Sequence, residues 1–113
     1  MITIEALKEL GANTEEGLAR CMNNEAFYLR MVGMAISDDG YERLGEAVRR
    51  GDLDEGFERA HALKGILSNV SLTSLAEPVI EITEDLRERK QKDYSDVLAR
   101  IADEIAKYRA LAE

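Results

Sequence analysis

Apolar residues recur at intervals of three and four along most of this 113-residue chain, and no long stretch alternates apolar and polar residues as a β-strand does. The spacing is clear near the C-terminus, where Val97, Ile101 and Ile105 follow one another at intervals of four. Strands also favour aromatic residues, which make up only 5% of the sequence. The pattern therefore predicts an all-helical (all-α) fold.

Glycine, asparagine and aspartate residues interrupt this pattern and mark helix ends. Ser74 and Glu77 have the spacing of a capping box at one helix start. Connections this short favour antiparallel neighbours, so we expect one domain over residues 1–113, an antiparallel up-down four-helix bundle with short additional N-terminal helices. The predicted helices cover about residues 3–10, 13–22, 24–37, 41–50, 53–70, 75–90 and 93–111.

The formal net charge is −8, and the basic residues form no long run. Nucleic acid and anionic membrane surfaces bind basic stripes, so neither is an expected partner. The sequence contains no 18-residue apolar run and no secretory leader, which predicts a cytoplasmic protein. A lone cysteine fits a reducing compartment, and Cys21 lies in an apolar-periodic segment where we expect it to be buried.

The only histidine, His61, lies on the fifth predicted helix. At about 100° per residue, the apolar residues of that helix cluster in one arc, and His61 falls roughly 130° from its middle. An exposed position is therefore predicted. The simplest interpretation is an ordinary histidine on a solvated helix face. The apolar arc consists of Leu53, Ala60, Leu63, Leu67 and Val70.

The neighbours of His61 favour a more specific interpretation. Lys64 follows at i+3, where its ammonium group can neutralise a phosphoryl group on the imidazole. Gly65 follows at i+4, although glycine inside a helix costs about 1 kcal/mol relative to alanine. A side chain at Gly65 is expected to crowd the ring and to hinder a partner protein. Ser68 continues the small polar surface, which suits reversible phosphorylation of an exposed imidazole.

Other chemistries are less compatible with the sequence. His61 with Asp54 and Glu58 falls short of a zinc-ligand set, so no metal is expected. The glycines lack the strand-turn-helix context of a nucleotide-binding loop, so no ATP site of the protein's own is expected. The sequence therefore predicts a phosphate carrier and not an enzyme.

The segment His61-Ala62-Leu63-Lys64-Gly65 resembles the H-x-L-K-G motif of the histidine-containing phosphotransfer (HPt) domains of phosphorelays. Residues 16–22 and 24–29 are similar to the N-terminal segment of that family. Residues 50–52 are similar to its turn into the histidine helix. The resemblance extends over roughly residues 4–111.

The resemblance implies that Nε2 of His61 accepts a phosphoryl group from a receiver-domain aspartate and passes it to another receiver. Lys64 would steady the phosphoryl oxygens, and Gly65 would provide clearance. The implied partners are response-regulator receiver domains and a hybrid or sensor histidine kinase. Magnesium would belong to the receiver, so no cofactor is expected in this chain, which the resemblance implies to be a monomer.

Two positions depart from the family pattern. Ser71 stands where the family often has glycine after the motif, and Thr83 stands where a glutamine or glutamate commonly orients the imidazole. With the hairpin turn centred near residue 72, the residue opposite His61 is about 83, and Arg87 lies one turn further. We expect Thr83 to accept a hydrogen bond from Nδ1–H, and Arg87 to add positive charge; the alternative is that neither residue has a role.

A receiver must exclude water during transfer, so an apolar docking surface around His61 is expected. The alternative for methionines at helical spacing is a position in the core. The candidate docking residues are Phe57, Leu7, Leu10, Met22 and Met34.

Two alternatives remain open. The first is a helical interaction module that binds receivers or kinases without carrying phosphate. The second is an excised phosphotransfer segment of a hybrid or chemotaxis histidine kinase, although a start at Met1 and an end just after the last helix favour a free-standing protein.

Overall fold

The computed structural model describes all 113 residues and contains seven helices and no strand, which confirms the all-helical prediction. None of the helices combines the length and apolar composition needed to cross a bilayer. The predicted boundaries agree with the observed ones to about one helical turn. The helices are α1 (Ile4–Glu9), α2 (Thr14–Arg20), α3 (Glu25–Ser37), α4 (Gly40–Arg49), α5 (Leu53–Val70), α6 (Thr73–Arg87) and α7 (Ser95–Ala110).

Side-chain caps begin four of the helices. In each case an oxygen of the residue before the helix accepts a hydrogen bond from a backbone N–H of the first turn. The capping box predicted at Ser74 and Glu77 is wrong, because the hydroxyl of Ser74 donates to the carbonyl of Leu10 at 2.7 Å, and the residue before α6 is Leu72. The four capping residues are Thr3, Asn13, Asn24 and Asp52.

Non-glycine residues in the left-handed conformation follow the ends of three helices. Met22 (φ 57°) and Asn23 (φ 58°) stop α2 earlier than predicted, and Arg89 (φ 53°) does the same for α6. Ser71 (φ 55°) forms the turn between α5 and α6 in the conformation that glycine adopts at lowest cost. Its hydroxyl donates to Glu16 of α2 at 3.1 Å, which ties this turn to the N-terminal helices.

The bundle has four positions, and α3 and α4 together fill one of them. The Tyr28 hydroxyl of α3 donates to the carbonyl of Val70 at 2.9 Å, beside the end of α5. At the other end, a Cβ added to Gly56 of α5 would lie 3.2 Å from Val48 of α4. Helices α3 and α4 therefore run one after the other, antiparallel to α5. The hairpins α5–α6 and α6–α7 complete the predicted up-down arrangement.

The core is one cluster of 24 buried residues that extends from Leu7 of α1 to Tyr108 of α7. Helix α2 packs closely on it, because an added Cβ at Gly17 would lie 2.4 Å from the Tyr28 ring. Burial raises the pKa of Tyr28 to about 12, so its phenol stays protonated at neutral pH. Cys21 is 8% exposed, which confirms that it is buried.

Arg109 of α7 connects α3 and α4, the two helices that together fill one position of the bundle. Its guanidinium donates to the carbonyls of Ile36 at 2.8 Å and Asp38 at 3.0 Å, which lie at the C-terminal end of α3. It also donates to the Glu42 carboxylate of α4 at 2.6 Å and lies over the Tyr41 ring at 5.5 Å. One side chain thus satisfies carbonyls that the helix end leaves without partners and fixes the start of α4.

Hydrogen bonding to Arg109 holds the pKa of the Glu42 carboxyl below its usual range. A depressed carboxyl pKa adds stability above the unfolded-state pKa, and that stability is lost as the pH falls through the folded-state pKa. We therefore expect Glu42→Gln to lower the free energy of unfolding at about pH 7 by about 0.5 kcal/mol, since the pair is largely exposed. Denaturant unfolding from about pH 7 to about pH 3 should show this difference shrinking.

Glu46→Gln is the matched control, because Glu46 is exposed on the same helix and makes no ion pair. It should leave the pH dependence of unfolding unchanged. A constant difference between wild type and Glu42→Gln across this pH range would contradict the role assigned to the Arg109–Glu42 pair.

Candidate functional site

His61 lies exposed on the third turn of α5, as the helical wheel predicts. The opposite side of this helix forms the centre of the core, where Leu63 and Leu67 are at most 1% exposed. Helix α5 packs most extensively on α4 and α6. The imidazole therefore projects from the best-supported helix of the bundle, which gives it a rigid base.

The ring of Phe57, one turn earlier on α5, stacks on the imidazole. The two ring centroids are 5.5 Å apart and the ring planes differ by 21°. Phe57 is partly buried, so its position is restrained by the rest of the fold. The stacked ring limits the orientations available to His61, and a role in orienting the imidazole is thus added to the predicted role of Phe57 in docking.

Two guanidinium groups lie over the Phe57 ring. The Cζ atoms of Arg87 and Arg89 are 5.1 Å and 5.0 Å from its centroid, within the range of cation–π attraction. Arg89 also donates to Asp54 of α5 at 2.6 Å and to the carbonyl of Leu86 at 2.6 Å. These contacts place two positive charges beside the ring that stacks on His61.

Lys64 reaches across to α6 and pairs with Glu84, with 3.6 Å between Nζ and Oε2. The other oxygen of Glu84 lies 3.5 Å from Nε of Arg87. All three side chains are between 34% and 53% exposed. The carboxylate of Glu84 therefore stands between the two cations that the sequence assigned to the phosphoryl group.

Thr83 does not orient His61 in this structure, so the expected hydrogen bond is a wrong prediction. Its side chain is fully buried, and its hydroxyl donates to the carbonyl of Val79, one turn earlier on α6, at 2.6 Å. The hairpin register itself agrees with the prediction, because Lys64 meets Glu84 and Phe57 meets Arg87. The rotation of α6 directs residue 83 into the core and residues 84 and 87 toward the site.

Gly65 is exposed, and a Cβ added there would have no heavy atom within 4 Å. A methyl group at position 65 would therefore not crowd the imidazole within the isolated domain, contrary to the expectation for the smallest side chain. Clearance for a partner protein remains a prediction. Ser68 is exposed one turn further along α5, which continues a surface of small side chains.

The candidate docking residues have different environments. Leu7 is fully buried, so it is part of the core and cannot contact a partner. Leu10 is partly buried. Met22 and Met34 are 91% and 61% exposed, which excludes the alternative that they are core residues. Phe27 of α3, which the sequence pattern did not single out, is 47% exposed and lines a groove with Met31, Asn69 and Val70.

Two site residues were missed at the sequence level. Glu84 was within reach of prediction, because the hairpin register places it beside residue 83 and its charge is opposite to that of Lys64. Arg89 was not, because the predicted helix continued to residue 90. Only the left-handed conformation of Arg89 returns its side chain to Phe57. No group of three or more histidine, cysteine, aspartate or glutamate side chains is arranged to hold a metal ion.

Phe57→Leu removes the aromatic ring from the stack but keeps an apolar side chain of similar size. We expect the imidazole proton resonances of His61 to move toward the positions of an unstacked histidine, because the ring current of Phe57 is lost. Thr83→Val is the matched control, since its hydroxyl contacts only the carbonyl of Val79. NMR spectra in which Thr83→Val moves the His61 resonances more than Phe57→Leu would contradict this geometry.

Comparison with known proteins gives one match. The model of the Hpt domain family matches residues 36–111, which covers more than half of the chain, from the last two residues of α3 to the end of α7. The matched region includes His61 and every residue that surrounds it. No curated protein and no solved structure matches the chain significantly. The chain therefore belongs to the Hpt domain family, whose members carry phosphoryl groups on histidine in two-component phosphorelays.

Proposed function

We propose that His61 is the phosphoryl acceptor of this protein, which takes the group from the aspartate of one receiver domain and passes it to another. The observation that carries the proposal is the position of the only histidine. It is exposed on α5 inside the H-x-L-K-G motif, with Lys64 one turn further and Arg87 across the hairpin.

The chemistry requires a neutral imidazole with a free lone pair. Nε2 attacks the phosphorus of the receiver's aspartyl phosphate, the P–O bond breaks, and the aspartate carboxylate leaves with the bonding electrons. An N–P bond forms, and the ring keeps the Nδ1 proton until solvent removes it. In the reverse direction the carboxylate of the second receiver attacks phosphorus, and Nε2 leaves. No nucleotide takes part, so the protein acts as a carrier.

The charges at the site are compatible with a phosphoryl group that is bound reversibly. A phosphoryl group carries about −1.5 to −2 charges at neutral pH. Lys64 and Arg87 are held by partly exposed ion pairs, which stabilise a fold by about 0–1 kcal/mol, and Arg87 also lies over the Phe57 ring. Both cations can therefore turn toward the phosphoryl oxygens at small cost in stability. Magnesium is supplied by the receiver in this proposal, and the domain needs no cofactor.

The partner surface is proposed to have two parts. On one side of His61 lie the charged side chains of α6. On the other side, exposed Ala62, Gly65 and Ser68 continue along α5 toward the groove that contains Phe27. A surface of small side chains next to exposed apolar ones fits the close approach of a receiver domain. An interaction module without phosphate is less favoured, because His61 and Lys64 are both present and accessible.

His61→Gln removes the nucleophilic nitrogen with little change in size. We expect incubation with a phosphorylated receiver domain to label wild type with acid-labile, base-stable phosphate, and to leave the variant unlabelled. The measurement is radiolabel retained after denaturing electrophoresis. Because residue 61 is exposed, the thermal stability of the variant should remain close to that of wild type. Labelling of His61→Gln at the wild-type level would contradict the proposal.

Gly65→Ala tests the clearance assigned to Gly65. Nothing in the domain opposes the added methyl group, so we expect a gain in stability of about 0.5–1 kcal/mol from helix propensity. The rate of phosphoryl transfer from a receiver should nevertheless fall about tenfold, as a loss of about 1.4 kcal/mol at the docked interface would produce.

Gly33→Ala is the control for this variant. Gly33 also lies inside a helix, and a Cβ added there would likewise have no heavy atom within 4 Å. We expect the same gain in stability with an unchanged transfer rate. Transfer by Gly65→Ala at the wild-type rate would show that Gly65 has no role in the approach of a receiver.

A further inference from the structure

We propose that Glu84 is a positioning residue that competes with the phosphoryl group for Lys64 and Arg87, and thereby keeps the phosphoryl group on His61 transferable. The inference rests on the proposed function of His61 and assigns a regulating residue to the same site. In the unphosphorylated protein one carboxylate holds both cations. After transfer, the more highly charged phosphoryl group takes them.

The geometry identifies Glu84 as a weak holder of these cations. Its two oxygens lie 3.6 Å from Nζ of Lys64 and 3.5 Å from Nε of Arg87. A charge-assisted hydrogen bond is normally about 2.7–2.9 Å long. The same helix also forms a close ion pair, because Glu81 meets Arg100 of α7 at 2.8 Å. The contacts of Glu84 are therefore ion pairs without a hydrogen bond, and Lys64 and Arg87 can easily exchange Glu84 for another anion.

The other charged groups around His61 do not share this arrangement. Arg89 is held by a 2.6 Å contact with Asp54 and by the carbonyl of Leu86. Glu58 is exposed at i−3 on α5, and no ion pair links it to Lys64 or Arg87. Glu84 is thus the one acidic side chain that contacts both Lys64 and Arg87.

The consequence is an effect on the rate as well as the equilibrium of His61 phosphorylation, because the arriving phosphoryl group needs the same cations as the bound one. The carboxylate of Glu84 occupies the cations that would stabilise the phosphoryl group. Removing the charge of this carboxylate should therefore favour phosphorylated His61 over the unphosphorylated form. No bond to Glu84 forms or breaks during transfer, because the carboxylate acts only through Lys64 and Arg87.

The test uses phosphoramidate as a small phosphoryl donor, so that no partner protein is needed. Nε2 of His61 attacks its phosphorus, the donor P–N bond breaks, and ammonia leaves after taking up a proton. We expect Glu84→Gln to raise the initial rate of His61 phosphorylation about two- to fivefold, the range expected for ion pairs of this exposure. The gain should shrink at 1 M salt, where charges are screened within about 3 Å.

Glu77→Gln is the matched control. Glu77 is exposed on α6, makes no ion pair, and its substitution changes the net charge by the same amount. It should leave the rate unchanged. A second arm places Glu84→Gln in a background that carries Lys64→Ala and Arg87→Ala. The gain should disappear there, whereas a merely structural role of Glu84 would not depend on these cations.

The outcomes separate the two proposals. A wild-type protein that phosphoramidate does not label at His61 would overturn the phosphocarrier role and this inference together. A labelled wild type whose rate is matched by Glu84→Gln would overturn only the inference. An equal gain in rate for Glu77→Gln would likewise overturn only the inference. So would an equal gain for Glu84→Gln in the background without Lys64 and Arg87.

Discussion

The packing of α5 against α6 is the contact on which the site depends. The buried stripe of α5 sets its rotation, and the turn at Ser71 sets the register of α6. Together they bring Glu84 to Lys64 and Arg87 to the ring of Phe57. A one-residue change in register would turn each of these side chains by about 100° and separate the charges from His61. The core therefore determines the electrostatics of a surface site.

The rest of the bundle serves to hold α5 in place. The position opposite α6 is filled by α3 and α4 in succession, and Arg109 secures the junction between them. Because α3 and α4 pack one after the other against α5, the buried side of α5 is supported along its length. The face that carries His61 stays open to solvent. Because the side of α5 beneath the site is buried in the core and the ion pairs above it are partly exposed, charge can be redistributed around the imidazole without disturbing the helices.

Several features of the site were predictable because they depend only on helical periodicity. The exposure of His61 and the burial of Leu63 follow from a 3.6-residue repeat. The hairpin register, seen in the contact of Phe57 with Arg87, follows from the position of the turn. The predictions for Thr83 and Leu7 failed for a different reason. Whether a given residue of a helix faces the core depends on the rotation of that helix against neighbours that are distant in sequence. Thr83 is an example, because its side chain is fully buried and its hydroxyl donates to the carbonyl of Val79 in its own helix.

The sequence by itself determined the helical class, the approximate helix boundaries and the H-x-L-K-G motif with its exposed histidine, because these are set by local spacing and composition. Only the tertiary structure decided what surrounds the imidazole. It buried Thr83, placed Arg89 over the Phe57 ring after a left-handed turn, and set Glu84 between two cations. The contacts of Glu84 and Arg89 join α5 to α6 or to the turn that follows α6. They therefore depend on helix rotation and on where each helix ends, which periodicity leaves open.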